Sequence, residues 1–377
     1  MLYLDNASTS FPKPKVVYQE LQGYLQQAGA NPGRGSHQLA TRVEKNIDDT
    51  RYLLASFFGI SDHHRVIFTL NGTDSINIGI KGVIGPGDHV ITSLLEHNSV
   101  LRPLRQLEKN HVITLSQIDF SNKGFIDPDD FRRAITPRTK LVVLLHASNV
   151  LGTIQPIEAV GKICREHDLL FLVDAAQTAG ILPIDIDAMK IDLLAFPGHK
   201  ALFGPPGVGV LIVGERARLS PWREGGTGMD SENPLQPRKL PFLLESGTPN
   251  TLGIVALKAG LQFLMNKGLD KMRQHDQCLL TQLIGTLREN RKVSLYGTLD
   301  VTERVGLLAL NWEGYSSAEV GAILDVSFQI AVRPGLHCAP FVHKRLGTAP
   351  DGALRISPGY FNTEEEICQC LAALEQL

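Results

Sequence analysis

Phe171-Leu172-Val173-Asp174-Ala175-Ala176-Gln177 is an apolar run, short enough for a buried strand, that ends in a carboxylate. Six more short β-rich runs surround it in the sequence: Val66 to Leu70, His89 to Ser93, Val112 to Leu115, Leu141 to Leu145, Leu193 to Phe196 and Val208 to Val213. Longer mixed segments separate them, the alternation expected of βαβ units and a mainly parallel sheet of seven strands, Leu170 to Val173 included. In open α/β sheets ligands sit beyond the carboxyl ends of the strands, so Asp174 falls where a small molecule would be held.

Further out, Asp127-Pro128-Asp129-Asp130 combines an N-cap, an N1 proline and an acidic first turn, which predicts a helix running through Phe131 to Ile135. Residues Arg216 to Asn250 are rich in Gly and Pro and read as a loop region leading out of the sheet domain. Thr251 to Leu287 then carries apolar residues at helical spacing, and Leu307 to Trp312, Gln329 to Val332 and Glu364 to Leu377 complete a smaller α+β set. A chain of 377 residues exceeds one ordinary core. We therefore expect a large domain over residues 15–250 and a small domain built from 1–14 and 251–377.

With 37 Lys+Arg against 39 Asp+Glu, no net field favours nucleic acid or an anionic membrane over a small metabolite. No apolar run approaches the roughly 20 residues needed to span a bilayer, and Met1 to Ser10 lacks the features of a secretion signal, so a soluble cytoplasmic protein is expected. The five cysteines, Cys164, Cys278, Cys338, Cys368 and Cys370, lack metal-ligand spacing and are odd in number, which argues against a zinc site and a disulfide framework.

The run Leu193 to Phe196 leads into Pro197-Gly198-His199-Lys200 and so brings a lysine to the same sheet edge as Asp174. A lysine and an acid on successive strand ends are the two protein groups that pyridoxal phosphate needs, an amine for its aldehyde and an anion for its pyridine nitrogen. Taken singly, Asp174 reads equally well as a helix cap and Lys200 as a solvated loop lysine. Gly72-Thr73-Asp74-Ser75 follows a strand and opens a helix, where free N–H groups and the helix dipole can hold a phosphate, or where an ordinary cap can sit. His97 and Asn149 follow two further strand ends. An imidazole there could stack on a flat cofactor and an amide could bond its oxygens, although structural roles are common for both residue types.

Together, Gly72-Thr73-Asp74-Ser75, Glu96-His97-Asn98, Ser148-Asn149-Val150-Leu151-Gly152, Asp174-Ala175-Ala176-Gln177, Gly198-His199-Lys200, Gly247-Thr248-Pro249-Asn250 and Arg333-Pro334-Gly335-Leu336-His337-Cys338 closely resemble the class V aminotransferase superfamily. Within it, the cysteine desulfurase and selenocysteine lyase branch matches best, over nearly the whole chain and in order. The resemblance implies a fold type I enzyme, dimeric, with sites at the subunit interface. It implies that Lys200 holds pyridoxal 5'-phosphate as a Schiff base, Asp174 pairs with the pyridine nitrogen, Gln177 meets the ring hydroxyl oxygen and His97 stacks on the ring and shuttles protons. Gly72, Thr73 and His199 match the phosphate cup, and Thr248 matches a phosphate contact from the other subunit. Asn149 matches a residue near the ring hydroxyl and substrate carboxylate, and Arg355 matches the arginine that grips that carboxylate by a bidentate fork. Asp5-Asn6-Ala7-Ser8-Thr9 and Asn31 to His37 resemble segments that border the site.

One position departs from the family pattern. Pro197 stands where a Ser or Thr normally supplies a phosphate ligand, and it offers neither a hydroxyl nor an N–H, which costs about 1.5–3 kcal/mol unless replaced.

Cys338 separates desulfurase from transaminase. A thiolate is a nucleophile, His337 and Arg333 are close in sequence, and the segment matches the family's persulfide loop, against the alternative of a small buried hydrophobe. The short stretch from Cys338 to Arg355 resembles the compact-loop group that includes selenocysteine lyases. The expected reaction converts L-cysteine to L-alanine, with Lys200 taking the Cα proton and Cys338 the sulfur, which a sulfur-acceptor protein could then receive. A selenocysteine lyase, a class V aminotransferase or kynureninase-like lyase without a persulfide step, and a catalytically silent binding protein are the alternatives.

Overall fold

The computed structural model describes residues 1–32, 37–229 and 232–377. All seven predicted runs are strands: β1 (Val66–Thr69), β2 (Asp88–Ser93), β3 (Ile113–Ile118), β4 (Thr139–Leu145), β5 (Leu170–Asp174), β6 (Leu193–Pro197) and β7 (Gly209–Val213). They form one sheet in the order β1-β7-β6-β5-β4-β2-β3. Every pairing is parallel except those of β7, which runs antiparallel to β1 and β6.

The central strands are buried end to end because both faces of the sheet are covered. Phe171 and Val173 point into one core and Leu170 and Leu172 into the other, as the two-residue period of a strand requires. Leu145 pairs with Asp174 and Asp174 with Ala195, so β4, β5 and β6 finish at one edge. The helix Pro128–Ala134 begins as predicted, with the Asp127 carboxylate accepting from the Asp129 N–H at 3.0 Å.

The smaller unit is a four-stranded antiparallel sheet of Arg333–Gly335, Ala353–Ile356, Leu308–Trp312 and Val293–Tyr296, in that order. The chain's start returns to it: Leu2–Tyr3 pairs with Ile330–Ala331, and Leu2 and Leu4 enter its core. The apolar stretch from Thr251 is two helices, Thr251–Lys267 and Leu269–Leu287. Gly268 between them has φ of 85°, open to glycine at no steric cost and incompatible with a continuing helix. The first helix sends Ile254, Leu257, Leu261 and Leu264 into the core beneath β5, and the contacts change partners within the second, where Met272 joins that core and Leu279 the smaller one. No helix among the described residues is long and apolar enough to cross a membrane.

Candidate active site

The ends of β1, β2, β4, β5 and β6 open onto one cleft of about 220 Å³, which gathers Gly72, Thr73, His97, Asn149, Asp174, Gln177, His199 and Lys200. The smaller unit closes it with Arg333, Cys338 and Arg355, and the N-terminal segment adds Ala7 and Ser8. Residues more than three hundred positions apart thus share one wall.

Lys200 and Asp174 form its electrostatic centre. Burial pushes the Lys200 amine down to about 8; the Asp174 carboxylate opposes this, while Arg355 and Arg333 add to it. Burial also raises the Asp174 carboxyl, offset by an N–H from Ala176 at 2.9 Å and by the Lys200 charge. A lysine poised near neutrality, close to a buried acid, suits bond formation with a carbonyl compound. The N-terminal segment fixes the lysine's turn: Ser10 Oγ donates to the Lys200 carbonyl at 2.8 Å, and Lys13 Nζ and Thr9 Oγ1 donate to the His199 carbonyl at 2.6 and 3.1 Å.

Two helix N-termini meet at the other end. Gly72–Val83 is capped by Asn71 and Asn98–Lys109 by His97, whose Nδ1 accepts from the Ser99 N–H at 3.1 Å. Burial and nearby Lys200 hold His97 down at about 4, so near neutral pH it is an uncharged ring with its proton on Nε2, available for stacking or proton transfer. Thr73 and Ser99 place their hydroxyl oxygens 2.9 Å apart. Pro197 packs against Gly72, where a Cβ would lie 3.1 Å from the Pro197 Cδ. His199, held down at about 4 by burial and the Lys200 charge, bonds Thr9 Oγ1 at 3.0 Å.

The thiol wall differs from the sequence expectation in one respect. Arg333 reaches Cys338, with Nη2 3.6 Å from Sγ, but His337 turns away: its Nε2 bonds the Arg333 carbonyl at 2.9 Å and its ring packs on His343. Burial, with the Arg355 charge, lowers His337 to about 3, so it is neither a charged neighbour nor a proton partner for the thiol. Sequence adjacency misled because His337 and Cys338 both take left-handed backbone, φ 48° and 59°, which re-aims each side chain. Asn149 Nδ2 clamps this strained turn by donating to the His337 carbonyl at 2.6 Å.

Arg355 is almost wholly buried, donates to the Asn149 carbonyl at 2.9 Å and pairs with Asp5 at 2.8 Å. Its Nε and the Asn149 Oδ1 are buried without a hydrogen-bond partner among the described residues. Gln177 Nε2 donates to the Ala7 carbonyl at 3.1 Å. Thr248 is exposed and does not line this chain's cleft. Of the other cysteines, Cys164 and Cys370 are buried and Cys278 and Cys368 are exposed. The expected loop over residues 31–37 lies largely outside the described residues. Ser99, a hydroxyl two residues beyond His97 in the first turn of the same helix, escaped the sequence reading.

The donor set fits pyridoxal phosphate: an amine, a buried acid, a flat neutral ring, paired hydroxyls at two helix ends, and a close glycine. The sequence profile of the family Aminotransferase class-V matches residues 2–369. A probable cysteine desulfurase of Halalkalibacterium halodurans is 33% identical, the match covering all of this chain and 93% of the relative. The apo cysteine desulfurase of Thermococcus onnurineus superposes with a TM-score of 0.93 at 32% identity, covering 100% of this chain and 94% of that one. The cysteine desulfurase CsdA of Escherichia coli, solved as its S-sulfonic acid, gives 0.89 at 27% identity over 99% and 94%.

Proposed function

The chain belongs to the class V aminotransferase family, and on that premise we propose that it is a cysteine desulfurase using pyridoxal 5'-phosphate, converting L-cysteine to L-alanine and taking the sulfur onto Cys338 as a persulfide. The observation that carries this reading is a thiol, backed by Arg333, in the same cleft as Lys200 and Asp174. A transaminase has no chemical need for that thiol.

Pyridoxal phosphate, when bound, supplies an electron sink conjugated to the substrate's amino group. The protein's own part begins with Arg355, which binds the substrate carboxylate and fixes Cα above Lys200. The Lys200 amine takes the Cα proton, a role suited to a lysine held at about 8 by burial. Asp174 would be the anion that keeps the pyridine nitrogen of the bound cofactor protonated, and Gln177 and Asn149, in the same cleft, would meet its ring hydroxyl. The Cys338 thiolate attacks the substrate sulfur. A sulfur–sulfur bond forms, the carbon–sulfur pair stays with the carbon fragment, and that fragment leaves as alanine after taking up protons. His97, uncharged and with its proton on Nε2, is the proton carrier we assign to this exchange.

Thr248, exposed on this chain, is suited to reach the phosphate of a second copy in a homodimer. The cytoplasm is the proposed location, and an acceptor protein for the persulfide sulfur the proposed partner. The test is to incubate the purified protein with cysteine and, separately, selenocysteine, quantifying alanine and the mass of the Cys338 peptide. Alanine from cysteine with a persulfide on Cys338 supports the desulfurase; alanine from selenocysteine alone indicates a lyase; alanine from neither overturns the reading.

A further inference from the structure

We infer that Ser99 is a phosphate-binding residue of this cleft, supplying the hydroxyl that Pro197 cannot; this rests on the cofactor reading above. The wall next to Gly72 is closed by the pyrrolidine ring of Pro197, 3.1 Å from where a Gly72 Cβ would lie. That ring has no donor, so a dianionic group seated at the start of the helix Gly72–Val83 loses one hydrogen bond on that side. The opposite side provides one. Ser99 is the second residue of the helix Asn98–Lys109, as Thr73 is of its own helix, and their hydroxyls are 2.9 Å apart.

Any anion seated beside Thr73 at the mouth of the first helix is therefore within reach of the Ser99 hydroxyl, whereas the first-turn N–H groups of the second helix are taken by the Cys338 carbonyl, His97 Nδ1 and the His97 carbonyl. Ser99 is 7% exposed, and its accessible surface belongs to the cleft wall. Its backbone N–H satisfies His97 Nδ1 at 3.1 Å, so the hydroxyl, at 2.8 Å from the same nitrogen, is not the only group holding that ring. A hydroxyl has one proton and two lone pairs: it can accept from Thr73 while donating to a phosphate oxygen. The cup thus takes its hydroxyl from the first turn of a second helix rather than from a strand end.

The test measures the affinity of the cofactor-free protein for pyridoxal phosphate and for pyridoxal, which lacks the phosphate. Ser99→Ala is expected to weaken pyridoxal phosphate about tenfold or more, the effect of one hydrogen bond to a charged group, with pyridoxal affinity unchanged. Ser99→Thr should retain the preference, and Pro197→Ser added to Ser99→Ala should restore it. Ser99→Asp, which keeps a helix-compatible polar residue, should reject the phosphate yet accept pyridoxal. Equal weakening of both aldehydes by Ser99→Ala, or none, would overturn the inference and leave Ser99 as a positioning residue for His97. A wild-type protein with no preference between the two aldehydes would overturn the cofactor reading itself.

Discussion

Arg333 and Cys338 face each other at the cleft, the guanidinium Nη2 3.6 Å from the thiol sulfur, while Nη1 is anchored by Ser8 Oγ at 2.9 Å. A permanent positive charge is thereby held beside the sulfur proposed as the nucleophile, and its anchor comes from the far end of the chain. Arg333→Gln should slow alkylation of Cys338 by iodoacetamide about tenfold, the weight of one charge-assisted hydrogen bond, and Arg333→Lys should slow it less. Mass spectrometry of the Cys338 peptide over time measures the rate; an unchanged rate in Arg333→Gln would show that the contact does not activate the thiol.

Cys338→Ser replaces the sulfur nucleophile with a hydroxyl that cannot form a persulfide. Alanine release from cysteine should fall at least ~100-fold while the affinity for pyridoxal phosphate stays at the wild-type value. Chromatographic quantification of alanine decides: activity surviving the substitution would return the enzyme to the transaminase or lyase class.

Burial sets Lys200 at about 8 against an ordinary 10.5. The neutral amine fraction therefore grows as pH rises through about 8, two or more units earlier than for a surface lysine. The rate at which the cofactor-free protein captures pyridoxal, trapped by borohydride and read by peptide mass, should rise with a midpoint near 8. Asp174→Asn removes the charge that opposes the downward shift and should move that midpoint lower; a midpoint near 10 in either protein would contradict this electrostatic assignment.

Glu96, next to His97 in the sequence, is wholly buried, and burial, with the Asp174 charge, raises it from 4.5 to about 8. Its Oε1 accepts from Ser93 Oγ at 2.7 Å and the Leu145 N–H at 3.1 Å, and Oε2 has no partner among the described residues. The folded state binds this proton more tightly than the unfolded chain, so its contribution to stability is complete below pH 4.5 and is lost as pH rises to about 8. Glu96→Gln keeps a neutral side chain at every pH. Its melting temperature should gain on the wild type between pH 5 and pH 8, as read by calorimetry; parallel curves would show that Glu96 is charged throughout.

Asn149→Ala removes the clamp on the left-handed His337-Cys338 turn and leaves the His337 carbonyl without that donor. The loss should be about 1–3 kcal/mol of stability, seen as a lower denaturant midpoint. Persulfide formation should slow by more than cofactor affinity weakens, because the amide acts on the position of the thiol. Equal effects on both would assign Asn149 to the cofactor alone.

Most of the sheet was legible because the buried strands are nearly continuous Val, Ile and Leu runs and each active residue follows one of them directly. Asp174 ends β5, and Lys200 follows β6 by three residues, so parallel pairing alone brings both to one edge. The helix break at Gly268 was harder to see, since apolar periodicity continues across it and only a positive φ separates the two helices. Ser99 was obscured by its own chemistry, because a serine in the first turn of a helix is commonplace unless a second helix ends beside it.

The local sequence determined the order of strands and helices, the pairing of acid with lysine, and the presence of a thiol, because each depends on residues within a few positions of one another. Side-chain direction and partnership across the fold were decided only by the tertiary structure. His337 adjoins Cys338 in sequence yet points away from it, whereas Arg333 reaches the thiol through a strained turn held by Asn149 from the other unit. Arg355 meets Asp5, and Ser99 meets Thr73, through contacts created when the two ends of the chain and two separate helices pack together. Burial then sets the charge states of Lys200, Asp174 and His97, because desolvation depends on the surrounding protein rather than on the neighbouring residues in the chain.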